Sequence, residues 1–296
     1  MDKLYRVATI KKILEESGFF FKKSLGQNFL INPTVCPKMA ESACLDGVEG
    51  VLEIGPGIGV LTNELAKRAK KVVAIELDSR LRPVLEKTLG EHKNVKIIFG
   101  DALKLDLAKI IADEFSGMRV SVCANLPYYV TSPILMRLLE SRLNIESITV
   151  MVQYEAARRI CAEVGSREAG AVTVAVNYYS STKILFDVSR GSFMPQPNVD
   201  STVIKLDILP KPAITPNDEK GFFKFVHAAF SQRRKTLVNS VFSVLGIEKS
   251  KICGSLEAAG ISPTIRAEKL TLQQLCEVYN TLESKPFINK DMPSAT

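Results

Sequence analysis

The chain has 296 residues, 46% hydrophobic and 24% charged, a balance that builds a core without disulfide or metal staples. Its 39 Lys+Arg against 32 Asp+Glu leave a formal charge of +7, which favours encounters with phosphate backbones without by itself requiring a polyanionic partner. The cysteines, at 36, 44, 123, 161, 253 and 276, form no CxxC pair, and His92 and His227 have no carboxylate or cysteine at ligand spacing; buried reduced thiols are expected, and a disulfide framework and a zinc site are not.

In chain order, Met1–Gly18 mixes Lys, Arg and Glu with scattered apolar residues, unlike a secretory signal. No apolar run approaches the roughly 20 residues of a membrane span, so a cytoplasmic protein without membrane contact is expected. Residues 4–17 predict an amphipathic helix, with Ile10, Ile13 and Leu14 on one face and Gly18 at its end. Asn32-Pro33 reads as a helix start, with Asn as cap and Pro at the first helical position. From residue 50 the pattern alternates. Strands are predicted at 51–54, 71–77, 95–99, 119–124 and 147–152, and helices at 60–70, 79–89 with Ser79 as cap, 106–115 and 132–139. Such βα repeats imply a mostly parallel sheet with helices on both faces. Segments 183–188 and 201–209 alternate with period two and read as the closing antiparallel strands of a seven-stranded sheet. The stretch from Pro210 to Pro216 is a linker by composition. Helices are predicted beyond it at 217–230, 232–245, 249–259 and 271–282. Residues 211–296 hold 12 Lys+Arg against 8 Asp+Glu. The expected organisation is an α/β, Rossmann-like domain at 1–209 with a helical extension at 1–32, a small all-helical domain at 210–285, and a frayed tail at 286–296.

The first predicted strand runs into Gly55-Pro-Gly57-Ile-Gly59. Glycines at a strand-to-helix turn let the backbone approach a ligand closely. The spacing is Gly-x-Gly-x-Gly, not the Gly-x-Gly-x-x-Gly of dinucleotide binders, which argues against a pyrophosphate. Glu53, two positions before the first glycine, suits a ligand carrying an ammonium and a sulfonium. Glu76 stands 21 residues after Gly55, the distance at which an acid binds ribose hydroxyls in such folds. Asp101, at the end of the third strand, can accept an adenine amino hydrogen from the same ligand. Each acid alone reads equally as a solvated charge; together they sit at the edge where such sheets bind ligands.

The fourth strand runs into Asn125-Leu126-Pro127-Tyr128. An adenine amino nitrogen is a poor nucleophile because its lone pair is delocalised into the ring. The Asn125 side-chain oxygen and the Leu126 carbonyl can accept its two N–H bonds and favour a pyramidal nitrogen, Pro127 stiffens the turn, and Tyr128 can stack on the base. In isolation the same four residues are a strand-ending turn with a packed tyrosine.

Seven segments together resemble the KsgA/RsmA family of ribosomal RNA adenine dimethyltransferases: Leu25-Gly-Gln-Asn-Phe-Leu30, Leu52-Glu-Ile-Gly-Pro-Gly-Ile-Gly-Val-Leu-Thr62, Glu76-Leu-Asp78, Gly100-Asp-Ala102, Asn125-Leu-Pro-Tyr128, Phe193-Met-Pro-Gln-Pro-Asn-Val-Asp-Ser201 and Phe230-Ser-Gln-Arg-Arg-Lys-Thr-Leu237. The resemblance implies a class I methyltransferase fold, S-adenosylmethionine as cofactor, and dimethylation of adjacent adenosines near the 3′ end of 16S ribosomal RNA by a monomer acting on a pre-30S subunit. It implies that Asn28 and Leu30 close over the cofactor, that Gly55, Gly57, Glu76, Asp101 and Asn125 contact it, and that Phe193 stacks on the target base opposite Tyr128. Without the resemblance Phe193 reads as core. Tyr129 stands where the family more often has a polar residue. Arg233, Arg234 and Lys235, with Lys22 and Lys23, are candidate phosphate contacts; as a bland feature, residues 233–235 are a solvated helix end. The alternatives are an Erm-type methyltransferase of large-subunit RNA, a non-catalytic nucleic-acid-binding protein on the same fold, and an NAD-dependent oxidoreductase, the last opposed by the glycine spacing.

Overall fold

The computed structural model describes residues 2–18, 28–45 and 47–283. The chain begins with α1 (Val7–Glu16), which buries Ile10 and Leu14 as the periodicity predicts. After Asn28 comes the two-residue strand β1 (Phe29–Leu30). α2 (Val35–Ala43) starts two residues later than the Asn32-Pro33 signal. Asn32 Oδ1 accepts from the Thr34 backbone N–H at 3.1 Å and from its hydroxyl at 2.9 Å. Asn32 thus makes a local turn ahead of the helix rather than capping it.

The βα units then follow: β2 (Gly50–Ile54), α3 (Val60–Ala66), β3 (Lys71–Glu76), α4 (Arg82–Leu89), β4 (Val95–Phe99), α5 (Leu107–Glu114), β5 (Val120–Asn125), α6 (Thr131–Glu140) and β6 (Ser147–Gln153). The turn after β3 is capped by Asp78, not Ser79: its carboxylate accepts the Arg80 N–H. Asp106 caps α5 through the Lys109 N–H at 2.9 Å. α7 (Tyr154–Ile160) and α8 (Ala171–Tyr179) come next, then β7 (Ser180–Val188), β8 (Phe193–Met194) and β9 (Ser201–Ile208). The remaining helices are α9 (Glu219–Phe230), α10 (Leu237–Leu245), α11 (Lys249–Ala258) and α12 (Leu272–Glu283). α10 starts at Leu237 behind a Thr236 cap, five residues after the expected 232.

The strands form a seven-stranded sheet in the order β4-β3-β2-β5-β6-β9-β7. β2 pairs in parallel with β3 and with β5, β3 with β4, and β5 with β6; β9 is antiparallel to both β6 and β7. The expected closing pair is therefore present. The connections run outward in opposite directions from β2 and β5, which leaves a crevice at their carboxyl ends. Ile54 is level with Ile75 on one side and Ala124 on the other, so the residues that follow all three strands emerge together. Strands buried on both sides, such as Val51-Leu52 and Val72–Ile75, read as near-continuous apolar runs. Burial of each Val, Leu or Ile side chain contributes about 1.5–3 kcal/mol. α2 packs on β5 and β6, and α3 on β3; Met39 and Ala40 of α2 and Leu65 of α3 are buried.

The described chain divides into two compact units: Met1–Cys161 with Tyr179–Pro210, and Ala162–Tyr178 with Lys211–Thr296. The second unit thus takes in an inner segment as well as the C-terminal helices. Within it, Tyr178 packs edge-on to Phe223 with ring centroids 5.1 Å apart, and Phe222 packs on Tyr279 at 5.7 Å. The Tyr178 hydroxyl donates to Glu219 at 2.9 Å.

Candidate active site

A cleft opens in the first unit at the carboxyl ends of β2, β3 and β5 and the loop after β4. Its floor is the glycine turn. Gly57 has φ +57° and Gly59, the N-cap of α3, has φ +87°. A Cβ on Gly59 would press on Leu89 at 3.0 Å and one on Gly57 on the Phe29 ring at 3.3 Å, so both conformation and space demand glycine. The Glu76 carboxylate accepts the Gly57 N–H at 3.2 Å with one oxygen and the Asp78 N–H at 2.8 Å with the other. Burial raises the Glu76 carboxyl above the ordinary range, and those backbone donors oppose the shift. Asp101 Oδ1 accepts the Leu103 N–H at 2.9 Å. Both acids are therefore oriented by the backbone while still lining the cleft.

At the adjoining end of β5, Asn125 to Tyr128 line the same cleft. No hydrogen bond among the described residues engages the Asn125 side-chain amide. Tyr128 is half-buried, and its hydroxyl shares a 2.8 Å hydrogen bond with Ser201 Oγ at the start of β9. That bond fixes the ring, and burial raises the phenol above its usual range. Phe193 lines the cleft too, yet is only 5% exposed: it is core and cleft wall at once. β8, which carries it, pairs antiparallel with β1, Leu30 opposite Phe193 and Phe29 opposite Met194. Asn28 and Leu30 are cleft residues as well.

The structure thus gathers Asn28, Leu30, Gly55, Gly57, Glu76, Asp101, Asn125–Tyr128 and Phe193 around one cleft. It does not bring Glu53 there. Glu53 is fully buried in mid-sheet, opposite Cys123 on β5. Neither its carboxylate oxygens nor the Thr62 hydroxyl has a hydrogen-bond partner among the described residues. Burial pushes the Glu53 carboxyl up to about 8, against the opposing effect of the nearby Thr62 hydroxyl. The expectation that Glu53 faces a cationic ligand is corrected: side chains alternate along a strand, and this one points into the interior. A cleft residue absent from the expected set is Leu77. It lies between Glu76 and Asp78, lines the cleft and is 56% exposed; a leucine flanked by two strand-end acids was the available signal.

Arg233, Arg234 and Lys235 lie in the second unit, exposed, on the turn between α9 and α10 rather than in a helix. Arg233 donates to the Arg167 carbonyl at 3.2 Å. Lys22 and Lys23 lie outside the described residues. Among the described residues no group of three or more His, Cys, Asp or Glu is arranged to hold a metal ion, and no helix is long and apolar enough to cross a membrane.

The family model for ribosomal RNA adenine dimethylase matches residues 18–284. The chain belongs to that family. Among its relatives, the ribosomal RNA small subunit methyltransferase A of Shouchella clausii is 50% identical over 280 residues, covering 94% of this chain and 95% of its own length. The same-named protein of Geobacillus thermodenitrificans is 49% identical over 276 residues, covering 92% and 94%. Of solved structures, a dimethyladenosine transferase from Plasmodium falciparum superposes with a TM-score of 0.67 at 26% identity, covering 84% of this chain and 95% of that one. The 23S rRNA methyltransferase ErmE gives 0.65 at 26%, covering 86% and 100%. The family assignment makes this chain an RNA-modifying methyltransferase, and the cleft lies where the doubly wound topology puts ligands.

Proposed function

We propose that this protein uses S-adenosylmethionine to dimethylate the amino groups of adjacent adenosines in a hairpin near the 3′ end of small-subunit ribosomal RNA, acting as a cytoplasmic monomer on an assembling subunit. The observation that carries the chemistry is the placement of Asn125–Tyr128 at the end of β5, in the lining of a cleft whose acids are already oriented. The choice of subunit rests on relatives near 50% identity that are named for the small one.

The residues present fit the cofactor. Glu76, anchored by Gly57 and Asp78, presents acceptor oxygens for ribose hydroxyls. Asp101 is set by Leu103 to accept from an adenine amino group. The positive-φ glycine turn lines the cleft with backbone alone at Gly55 and Gly57, and Asn28 and Leu30 close the cleft from the N-terminal side. When bound, S-adenosylmethionine supplies a methyl group on a positively charged sulfur. The chain's own residues make the adenine amino nitrogen able to take it. The Asn125 oxygen and the Leu126 carbonyl accept its two hydrogens and draw its lone pair out of the ring. Pro127 holds that geometry. Tyr128, fixed by Ser201, stacks on one face of the base and Phe193 on the other. The amino proton becomes acidic after transfer and leaves to water, so no strong base is needed.

The helical segment at 210–285, with Arg233, Arg234 and Lys235, is read as the RNA-recognition region, assisted by Lys22 and Lys23. The test is to offer purified protein small subunits lacking the modification and, separately, large-subunit RNA, and to map dimethyladenosine by mass. Transfer to the small subunit alone is expected. Transfer to large-subunit RNA moves the assignment to the Erm type, and binding without transfer moves it to a non-catalytic protein.

A further inference from the structure

The β1:β8 ribbon joins two ends of the cleft that do different work. Phe29 lies over Gly57, whose N–H is held by Glu76. Its neighbour Leu30 is paired with Phe193. An unbroken series of contacts therefore runs from Glu76 through Gly57, Phe29 and Leu30 to Phe193. The ladder is only two residues long on each side, too short to hold register by itself. It is continued beyond its end by the Ile31 N–H, which donates to the Ser192 carbonyl at 2.8 Å, and by the Asn32 side-chain amide, which donates to Ser192 Oγ at 3.1 Å. Neither Asn32 nor Ser192 belongs to the cleft lining. Ser192 is buried, and Asn32 is anchored in turn by Thr34 at the start of α2. Phe193 itself is 5% exposed, so the face it can show to a base is set by where β1 holds β8.

We propose that Asn32 and Ser192 are positioning residues that lock β1 to β8, so that occupancy of the cofactor end of the cleft sets Phe193 for the target adenosine and the two ligands bind with positive coupling. The inference rests on the reading of the cleft given under Proposed function. Neither residue touches substrate. They act through Leu30 and Phe193. A bistable contact that both sites bias is the physical requirement for such coupling. Coupling is reciprocal, so RNA must tighten cofactor binding by the factor by which cofactor tightens RNA binding.

The experiment measures the affinity of the full-length protein for S-adenosylhomocysteine, with and without saturating small subunits that lack the modification. Wild-type protein is expected to tighten about fivefold or more when the subunit is bound. Ser192→Ala removes the side-chain bond while keeping the Asn32–Thr34 turn, and is expected to reduce that ratio to between about one and two, the loss of one hydrogen bond being worth several-fold. Affinity without RNA should stay near wild type. Asn32→Ala should lower the ratio equally and the double variant no further. Asn32→Asp, which can accept the Ser192 hydroxyl and still hold Thr34, should restore it. In turnover, Ser192→Ala should raise KM for the subunit while kcat changes less. A wild-type ratio near one, or a full ratio retained in both Ser192→Ala and Asn32→Ala, overturns the inference while leaving the function standing. Should wild-type protein transfer no methyl groups to the subunit, the underlying reading fails, and the inference with it.

Discussion

The strand ends of the first unit and the α9–α10 turn of the second are both functional candidates, and they differ in sign of charge and in exposure: Glu76 is buried and the three basic residues are exposed. Around the cleft the charged groups are tied to the backbone: Glu76 to Gly57 and Asp78, Asp101 to Leu103. On the turn, Arg233, Arg234 and Lys235 are exposed, and the Arg233 guanidinium donates to the Arg167 carbonyl. Chemistry needs groups already oriented before the substrate arrives. Phosphate recognition needs positive charge within reach, and exposed basic side chains supply that.

The contrast is broken most directly at Asn125. Asn125→Ala should lower the single-turnover rate about 10²–10³-fold, because the acceptor matters most as the nitrogen pyramidalises, while RNA affinity stays close to wild type and cofactor affinity falls far less than the rate. A wild-type rate at saturating substrate would remove the active site from the end of β5. Next in size, Glu76→Ala should weaken S-adenosylmethionine binding by about 1.5–3 kcal/mol in calorimetry, the worth of a charge-assisted hydrogen bond. Glu53 sharpens the comparison, being a strand acid that the cleft does not use. Its carboxyl is raised to about 8 in the folded protein, so the proton it keeps stabilises the fold at low pH. That contribution is lost as pH rises from the ordinary carboxylate range through 8, with a slope of at most about 1.4 kcal/mol per pH unit. Thermal melts of Glu53→Gln between pH 5.5 and 8.5 should be flatter than wild type; equal slopes would mean that Glu53 is not held neutral. The smallest effect belongs to the turn. Arg233→Ala with Arg234→Ala should cost within about tenfold in RNA affinity at low salt. It should also flatten the log–log salt dependence by roughly 0.7–0.9 for each phosphate that the two arginines neutralise, with turnover at saturating RNA preserved.

The sheet, its closing antiparallel pair and the cleft residues are legible in the sequence because each rests on a strong local pattern: apolar runs of strand length, a glycine turn, acids at strand ends. Other features have weaker local signals. β1 and β8 are two residues each, below the length at which any period shows. α8 is hidden because Ala-Val-Thr-Val-Ala-Val-Asn-Tyr-Tyr is rich in strand-favouring residues, yet it folds as a helix with Val174, Val176 and Tyr178 buried. Glu53 misleads because its distance from the glycines suggests a ligand contact, while strand alternation turns it inward. The helix expected from 232 begins only at Leu237, because Thr236 caps it and leaves the basic residues on a turn.

The split composition of the second unit has a consequence for synthesis. Tyr178 and its partner Glu219 are 41 residues apart in the chain. At about 5–20 residues per second, the segment 162–178 emerges roughly 2–8 s before that partner exists. During that interval Val174, Val176 and Tyr178, all buried in the finished protein, have no completed core to enter. The nascent chain carries an apolar helix in waiting, and a fragment ending near residue 210 carries it permanently. Shortening this protein at its apparent linker therefore leaves an unfinished surface instead of a free-standing first domain, and that surface favours aggregation.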